Sequence, residues 1–178
     1  MSGKKLQGQV AWISGGTKGI GEGTARLFAQ EGAAVAIIGR NEKDGKRVVD
    51  EIANNGGKAL FIQCDVTKAE DVCKAIDLTV QTFGGLQILI NNAGIVDVKE
   101  LHAYTEEEFD RVMDVNVKSV FLAFKYAFPH LSKNERSYVV NVGSISSFVG
   151  QDRTPVYTAS KGAVLQLSRS IGLDYARG

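Results

Sequence analysis

The stretch Gln9-Val10-Ala11-Trp12-Ile13-Ser14-Gly15-Gly16-Thr17-Lys18-Gly19-Ile20-Gly21 decides how the rest of the chain is read. Gln9 to Ser14 is a short apolar run that stops at glycines, the pattern of a buried strand. Beyond the glycines, Ile20, Thr24, Leu27 and Phe28 recur with helical spacing until Gly32, which ends the helix. Strand, glycine-rich turn and helix in this order predict a phosphate site. Glycines let the backbone approach a pyrophosphate, and a helix N-terminus offers N–H groups and positive potential. A tight turn alone would also account for the glycines; the flanking strand and helix favour nucleotide binding. No Lys-Ser or Lys-Thr follows the glycines, which excludes a Walker motif, and the spacing Gly15-xxx-Gly19-x-Gly21 is wider than GxGxxG.

Moving outward, Ala34 to Ile38 (AVAII) reads as a second buried strand, ending in Gly39-Arg40. Dinucleotide sites often place an acidic residue here for the ribose 2′-hydroxyl, whereas an arginine accommodates a 2′-phosphate. Asp and Glu are absent from this strand end, and both Arg40 and the turn residue Lys18 are cationic, which favours NADP over NAD. Two solvated surface charges are the alternative. A polar helix follows from about Asn41 to Asn54, ended by Asn-Asn-Gly-Gly at 54–57.

Leu60 to Cys64 is read as the third strand, closed by Asp65. Thr67-Lys68-Ala69-Glu70 matches a capping box and opens a helix with Val72, Ile76, Val80 and Phe83 on its apolar positions. Ile88 to Ile90 is the fourth strand, leading into Asn91-Asn92-Ala93-Gly94. Strands alternating with helices imply a parallel sheet covered on both faces. Thr105-Glu106-Glu107-Glu108 is a second capping box, and the helix behind it carries Phe109, Val112, Met113, Val120 and Phe124 on one stripe. Asn116 lies on that stripe; a polar side chain there must find partners or cost free energy, so it is either a structural tie or part of a site. Tyr138 to Val142 is the fifth strand, followed by Gly143-Ser144-Ile145-Ser146-Ser147. These serines fall beyond the C-terminal end of a strand, where open α/β sheets place their sites, although a loop serine is ordinarily a turn or cap residue.

Thr154-Pro155-Val156-Tyr157-Thr158-Ala159-Ser160-Lys161 opens the last helix, with Thr154 expected as N-cap and Pro155 as first helical residue. Tyr157 falls in the first turn and Lys161 one turn later on the same face. A nearby ammonium and the positive helix end both favour a phenolate, which suits a proton donor and acceptor. An ordinary amphipathic face explains the pair equally well when this segment is taken alone. The helix is expected to reach about Tyr175, with Val164, Leu167 and Ile171 toward the core.

A chain of 178 residues is long enough for one domain with a proper core, and 44% apolar with 23% charged residues is ordinary for a globular protein. A net charge of +1 gives no basic surplus for nucleic acid or an anionic membrane. The run from Met1 to Leu6 leads into no signal-peptide core, and no apolar stretch approaches bilayer length, so the expected location is the cytoplasm. Cys64 and Cys73 lack CxxC spacing and read as small buried hydrophobes; His102 and His130 are isolated, so no metal site is assigned.

Together, SGGTKGIG at 14–21, Asp65-Val66, NNAG at 91–94, Asn116, Ser144 and YTASK at 157–161 resemble the short-chain dehydrogenase/reductase family, in family order and over essentially the whole chain. The resemblance implies a Rossmann-like doubly wound parallel sheet, α/β in class, with strands ordered 3-2-1-4-5. It also implies hydride transfer between NAD(P)H and a ketone or secondary alcohol. Tyr157 would be the acid/base, and Lys161 would favour its ionised form and hold the nicotinamide ribose. Ser144 would hydrogen-bond the substrate oxygen, and Asn116 would hold a water linking Lys161 to solvent. Gly15, Thr17, Lys18, Gly19, Ile20, Gly21 and Arg40 would hold the phosphates, Asp65 and Val66 the adenine, and Asn92, Ala93 and Gly94 would line the cofactor. Similar enzymes are often tetramers joined through helices matching 105–131 and 155–175, so a homo-oligomer, tetramer or dimer, is expected. Ser14 replaces the usual Thr and keeps the hydroxyl. Two further strands, substrate-covering helices and a Pro-Gly segment have no counterpart, so a single, C-terminally incomplete domain over 1–178 is expected.

The leading expectation is an NADP(H)-dependent reductase of ketones or dehydrogenase of secondary alcohols, with no nucleic-acid or membrane partner. A 3-oxoacyl thioester reductase and a non-catalytic nucleotide-binding or interaction remnant of the family are the alternatives.

Overall fold

The computed structural model describes residues 3–175. The amino-terminal run read from Met1 therefore falls partly outside the described residues. Five strands, β1 (Val10–Ser14), β2 (Ala34–Gly39), β3 (Lys58–Gln63), β4 (Ile88–Asn91) and β5 (Tyr138–Asn141), form one parallel sheet ordered β3-β2-β1-β4-β5, as expected. The central strands read as unbroken apolar runs because both faces are covered. Alternate side chains go to opposite layers. Trp12, Ala36, Ile38 and Leu89 enter one cluster with α3 (Ala69–Phe83) and α5 (Ser119–Leu131); Ala11, Ile13, Val35, Ile37 and Ile90 enter the other with α1 (Gly19–Gln30) and α2 (Glu42–Asn54).

Several local expectations need correction. In α1 the buried stripe is Gly21, Ala25 and Ala29, while Ile20 and Leu27 are exposed. Small residues let the helix start lie against the turn: a Cβ on Gly21 would fall inside the contact radius of the Gly15 carbonyl oxygen. β3 begins at Lys58, not Leu60, because β2 pairs with it from Ala34↔Lys58 to Gly39↔Gln63. The box at Thr67 does not form. Asp65 takes both the Thr67 N–H, at 3.1 Å, and its hydroxyl, at 2.8 Å, and α3 starts from an uncapped Lys68. The box at Thr105–Glu108 does form and opens α4 (Glu106–Met113).

Between α4 and α5 the chain makes a π turn over Asp114–Lys118. This extra residue per turn shifts the helical phase, so Phe109 is left outside while Val112, Asn116 and Val120 are buried. The last helix, α6 (Pro155–Tyr175), buries Val156, Ser160, Lys161 and Val164; Leu167 and Ile171 are only half-covered and Leu173 is exposed. Cys64 is buried as expected, but Cys73 is partly exposed. No helix among the described residues is long and apolar enough to cross a membrane.

Candidate active site

The C-terminal ends of β1 and β4 are stitched together by Ser14. Its hydroxyl accepts from the backbone N–H groups of Asn92 (2.9 Å) and Ala93 (3.0 Å), and the Asn92 side-chain amide donates to the carbonyls of Ser14 (3.0 Å) and Gly15 (3.2 Å). Ser14 therefore holds the β4 loop against the glycine-rich turn through its hydroxyl, which explains why a serine serves where the family has threonine. Gly15 has φ +64°, and a Cβ there would approach the Asn92 amide nitrogen to 2.9 Å. Gly19, at φ +58°, faces open space.

At the start of α1, Lys18 is the N-cap and supplies no side-chain cap. The first N–H groups of the helix are thus left for another acceptor, and Ile20 beside them is 71% exposed. An uncapped helix start, close-packed glycines and an uncovered apolar side chain fit a bound pyrophosphate. Thr17 is buried, with its methyl over Gly39 where a Cβ would come within 2.8 Å. Arg40 and Lys18 are exposed and form no ion pair among the described residues; a groove of about 360 Å³ runs from Arg40 past Cys64 and Asp65 to Lys74 and Leu78. Burial would raise the Asp65 carboxyl, but the bonds from Thr67 and the charges of Lys68 and Arg40 outweigh it and hold the group below its ordinary value. Burial pushes the Cys64 thiol up to about 12, with the Asp71 and Asp65 charges adding to it, so it is no nucleophile. Val66 packs against the core cluster.

Asn116 sits in the π turn and is 1% exposed. Its side-chain oxygen accepts from the Ile95 N–H (2.8 Å), and its amide donates to the Ile95 carbonyl (2.9 Å) and the Ser160 hydroxyl (3.0 Å). Ser160 donates in turn to the Tyr157 carbonyl at 2.7 Å. The amide is therefore fully used as a tie between the β4 loop and α6. Of the two readings of Asn116, the structure displays the tie, which reaches the turn that bears Tyr157.

Lys161 is 5% exposed; its Nζ donates to the Val142 carbonyl at 2.7 Å and lies 5.8 Å from the centroid of the Tyr157 ring. Desolvation lowers its pKa below the ordinary lysine value. Tyr157 is half-buried. Ser144 caps the short 3-10 turn Ile145–Ser147: its hydroxyl accepts from the Ser146 N–H at 3.1 Å, and Ser147 donates to the Lys161 carbonyl at 2.9 Å. Thr154 occupies the N-cap position, but its hydroxyl donates back to the Gln151 carbonyl at 3.4 Å.

Asn116, Tyr157, Lys161 and the Ser144 turn are thus brought to one end of the sheet, with Gly94 beside Asn116 and Lys161. Reading by residue type gave no role to Ser160 or to the Val142 carbonyl, and left Ser147 among the loop serines without a partner. Ser160 stands three residues after Tyr157, on a helix whose other small residues are unremarkable, and the Val142 acceptor is backbone with no sequence signal.

The family model described as short chain dehydrogenase matches residues 9–178. A Thermotoga maritima protein named as an uncharacterized oxidoreductase is 46% identical over 171 residues, covering 96% of this chain and 67% of its own length. Secoisolariciresinol dehydrogenase of Forsythia intermedia is 39% identical over 173 residues, covering 96% of this chain and 62% of its own length. A solved short-chain type dehydrogenase/reductase from Mycobacterium marinum superposes with a TM-score of 0.93 at 35% identity, over 97% of this chain and 69% of that one. The chain spans about two thirds of the length of the proteins it matches.

Proposed function

The chain belongs to the short-chain dehydrogenase family, and from that premise we propose that it serves an NADP(H)-dependent oxidoreductase interconverting a ketone and a secondary alcohol. The observation that carries this reading is a lysine with 5% exposure held beside a half-buried tyrosine at the C-terminal ends of β4 and β5. Burying an ammonium with one carbonyl partner costs free energy that packing does not require, so the charge is there for use.

When bound, NADPH supplies the hydride. The residues that would hold it are the turn from Gly15 to Gly21 at the phosphates, Arg40 and Lys18 at the 2′-phosphate, Asp65 and Val66 at the adenine, and Asn92, Ala93, Gly94, Tyr157 and Lys161 toward the nicotinamide end. In the direction of reduction, the carbonyl carbon of the ketone gains the hydride while its C=O π pair moves onto oxygen. The Tyr157 hydroxyl gives its proton to that oxygen, so that one C–H and one O–H bond form together. The Ser144 hydroxyl, already oriented by the Ser146 N–H, donates to the same oxygen. The Lys161 ammonium stabilises the phenolate that Tyr157 becomes. Asn116 keeps the turn bearing Tyr157 in place through Ser160.

The NADP preference rests on Arg40 and Lys18, two exposed cations without ion pairs among the described residues, where an NAD site would carry an acid. Phe109 and Phe121 on α4 and α5 and Leu173 on α6 face solvent, which supports a homo-oligomer packed on these helices. Tyr157→Phe tests the acid/base role: turnover is expected to fall by at least two orders of magnitude, the span of general acid–base catalysis, with NADPH binding almost unaltered. Turnover equal to the parent chain would refute the role.

A further inference from the structure

Behind the phosphate-binding turn lies a four-residue charge cluster. Glu22 sits in the first turn of α1. Arg47, reaching over from α2, donates to its two carboxylate oxygens at 3.0 and 2.7 Å, to Glu51 Oε1 at 3.2 Å, and with Nη2 to the carbonyl of Thr17 at 3.2 Å. Arg26 completes the ring, bonding Glu22 at 2.6 Å and pairing with Glu51. Two guanidiniums and two carboxylates leave no net charge. Only one of these bonds leaves the cluster, and it ends on the backbone of the turn itself.

The placement of Glu22 calls for an explanation. A carboxylate in the first turn of a helix is favoured by the helix dipole. Here that helix start is the one left uncapped for phosphate, and an unneutralised carboxylate would repel the pyrophosphate it is meant to receive. Arg47 answers both needs with one planar fork. Its bidentate grip cancels the Glu22 charge, and its remaining reach fixes the Thr17 carbonyl.

We propose that Arg47 is a positioning residue of the cofactor site, holding the turn through the Thr17 carbonyl and shielding the bound phosphates from the Glu22 carboxylate. The proposal rests on the nucleotide-binding reading above and goes beyond it, because Arg47 lies outside every motif that carried that reading. Arg26 cannot substitute for the brace, since none of its bonds reaches the turn, and because it serves Glu51 as well as Glu22, removal of Arg47 leaves two carboxylates with one guanidinium. The two roles of Arg47 separate by mutation. Met in its place keeps the apolar stem but removes the donors and the charge; Lys restores the charge without the fork.

The test is a fluorescence titration of the full chain with NADPH in parallel with amide exchange on the nucleotide-free protein. Arg47→Met is expected to weaken NADPH binding about tenfold, the scale of a lost hydrogen bond involving a charged group, and to speed exchange of the amides at 16–19. Glu22→Gln added to Arg47→Met is expected to recover the part of the affinity lost to the unshielded carboxylate, while exchange at 16–19 stays fast because the Thr17 brace is still missing. Arg47→Lys is expected to recover part. A merely structural Arg47 would lower the melting temperature of Arg47→Met without this rescue, since removing Glu22 as well breaks more of the cluster. Unchanged affinity in Arg47→Met would overturn the proposal, as would a loss that persists undiminished in the double variant. If the parent chain binds neither NADPH nor NADH, the cofactor reading itself fails, and exchange at 16–19 still decides whether Arg47 braces the turn. Should Arg47→Met not fold, Arg47→Gln, which removes the charge but keeps a polar side chain, carries the same comparison.

Discussion

Lys161 shows the conflict between stability and chemistry most plainly. Its ammonium is buried, its one hydrogen bond goes to the Val142 carbonyl, and desolvation pulls its pKa down. The sign follows from proton counting. Between the lowered folded value and the ordinary 10.5, the unfolded chain binds the extra proton, so stability rises with pH through that window. Below that window the folded state carries the full penalty of the buried charge. Lys161→Met is therefore expected to raise the melting temperature by roughly 2–4 °C for about 1 kcal/mol gained in a chain of this size, while abolishing turnover. Scanning calorimetry decides it: a lower melting temperature would mean that the ammonium stabilises the fold and is not held there for catalysis. Asn116 is the complementary case. Its polarity on a helical stripe was visible in sequence, but its partners, the Ile95 backbone and Ser160, lie 21 and 44 residues away. Spacing could raise the question of a tie or a site; only long-range contact could answer it.

At the scale of elements, periodicity found every strand and every long helix, because buried parallel strands are continuous apolar runs and the helices between them are long. It failed where a feature depends on competition or on phase. The Thr67 box lost its hydroxyl to Asp65, a neighbour that a four-residue pattern does not include. The π turn at Asp114–Lys118 moved Phe109 off the buried face, and no residue type announces such a turn. In α1 the apolar spacing marks the helix but not its buried face: Gly21, Ala25 and Ala29 are buried, while Ile20 is exposed beside the glycine-rich turn. The α1–α2 charge cluster has a measurable consequence of its own. The Arg47 hydrogen bond, helped by Arg26 and against some desolvation, lowers the Glu22 carboxyl to about 2. A depressed carboxylate contributes stability that is complete above its ordinary value of 4.5 and is lost as pH falls toward about 2. Glu22→Gln is expected to flatten this acid limb relative to the parent chain when unfolding is followed by denaturant titration from pH 6 to 2, with Glu51 remaining to pair with both arginines. An acid limb of unchanged slope would contradict the assignment.

For the whole molecule, the sheet order places the glycine-rich turn, the β4 loop and the start of α6 at one end, so the residues proposed for the cofactor and the tyrosine–lysine pair converge without any local signal that they should. The order 3-2-1-4-5 was legible only through resemblance, since alternation of strands and helices fixes a parallel sheet but not which strands are neighbours. The proposed coenzyme preference belongs to this scale because β1 and β2 lie side by side, so that Thr17 of one turn packs against Gly39 of the next. The most direct measurement is a fluorescence titration of the chain with NADPH and NADH in parallel, repeated on Arg40→Asp. The account predicts tighter binding of NADPH, with the preference lost or reversed in Arg40→Asp while NADH binding persists. Equal affinity for both nucleotides, or an NADPH preference that survives Arg40→Asp, would contradict it.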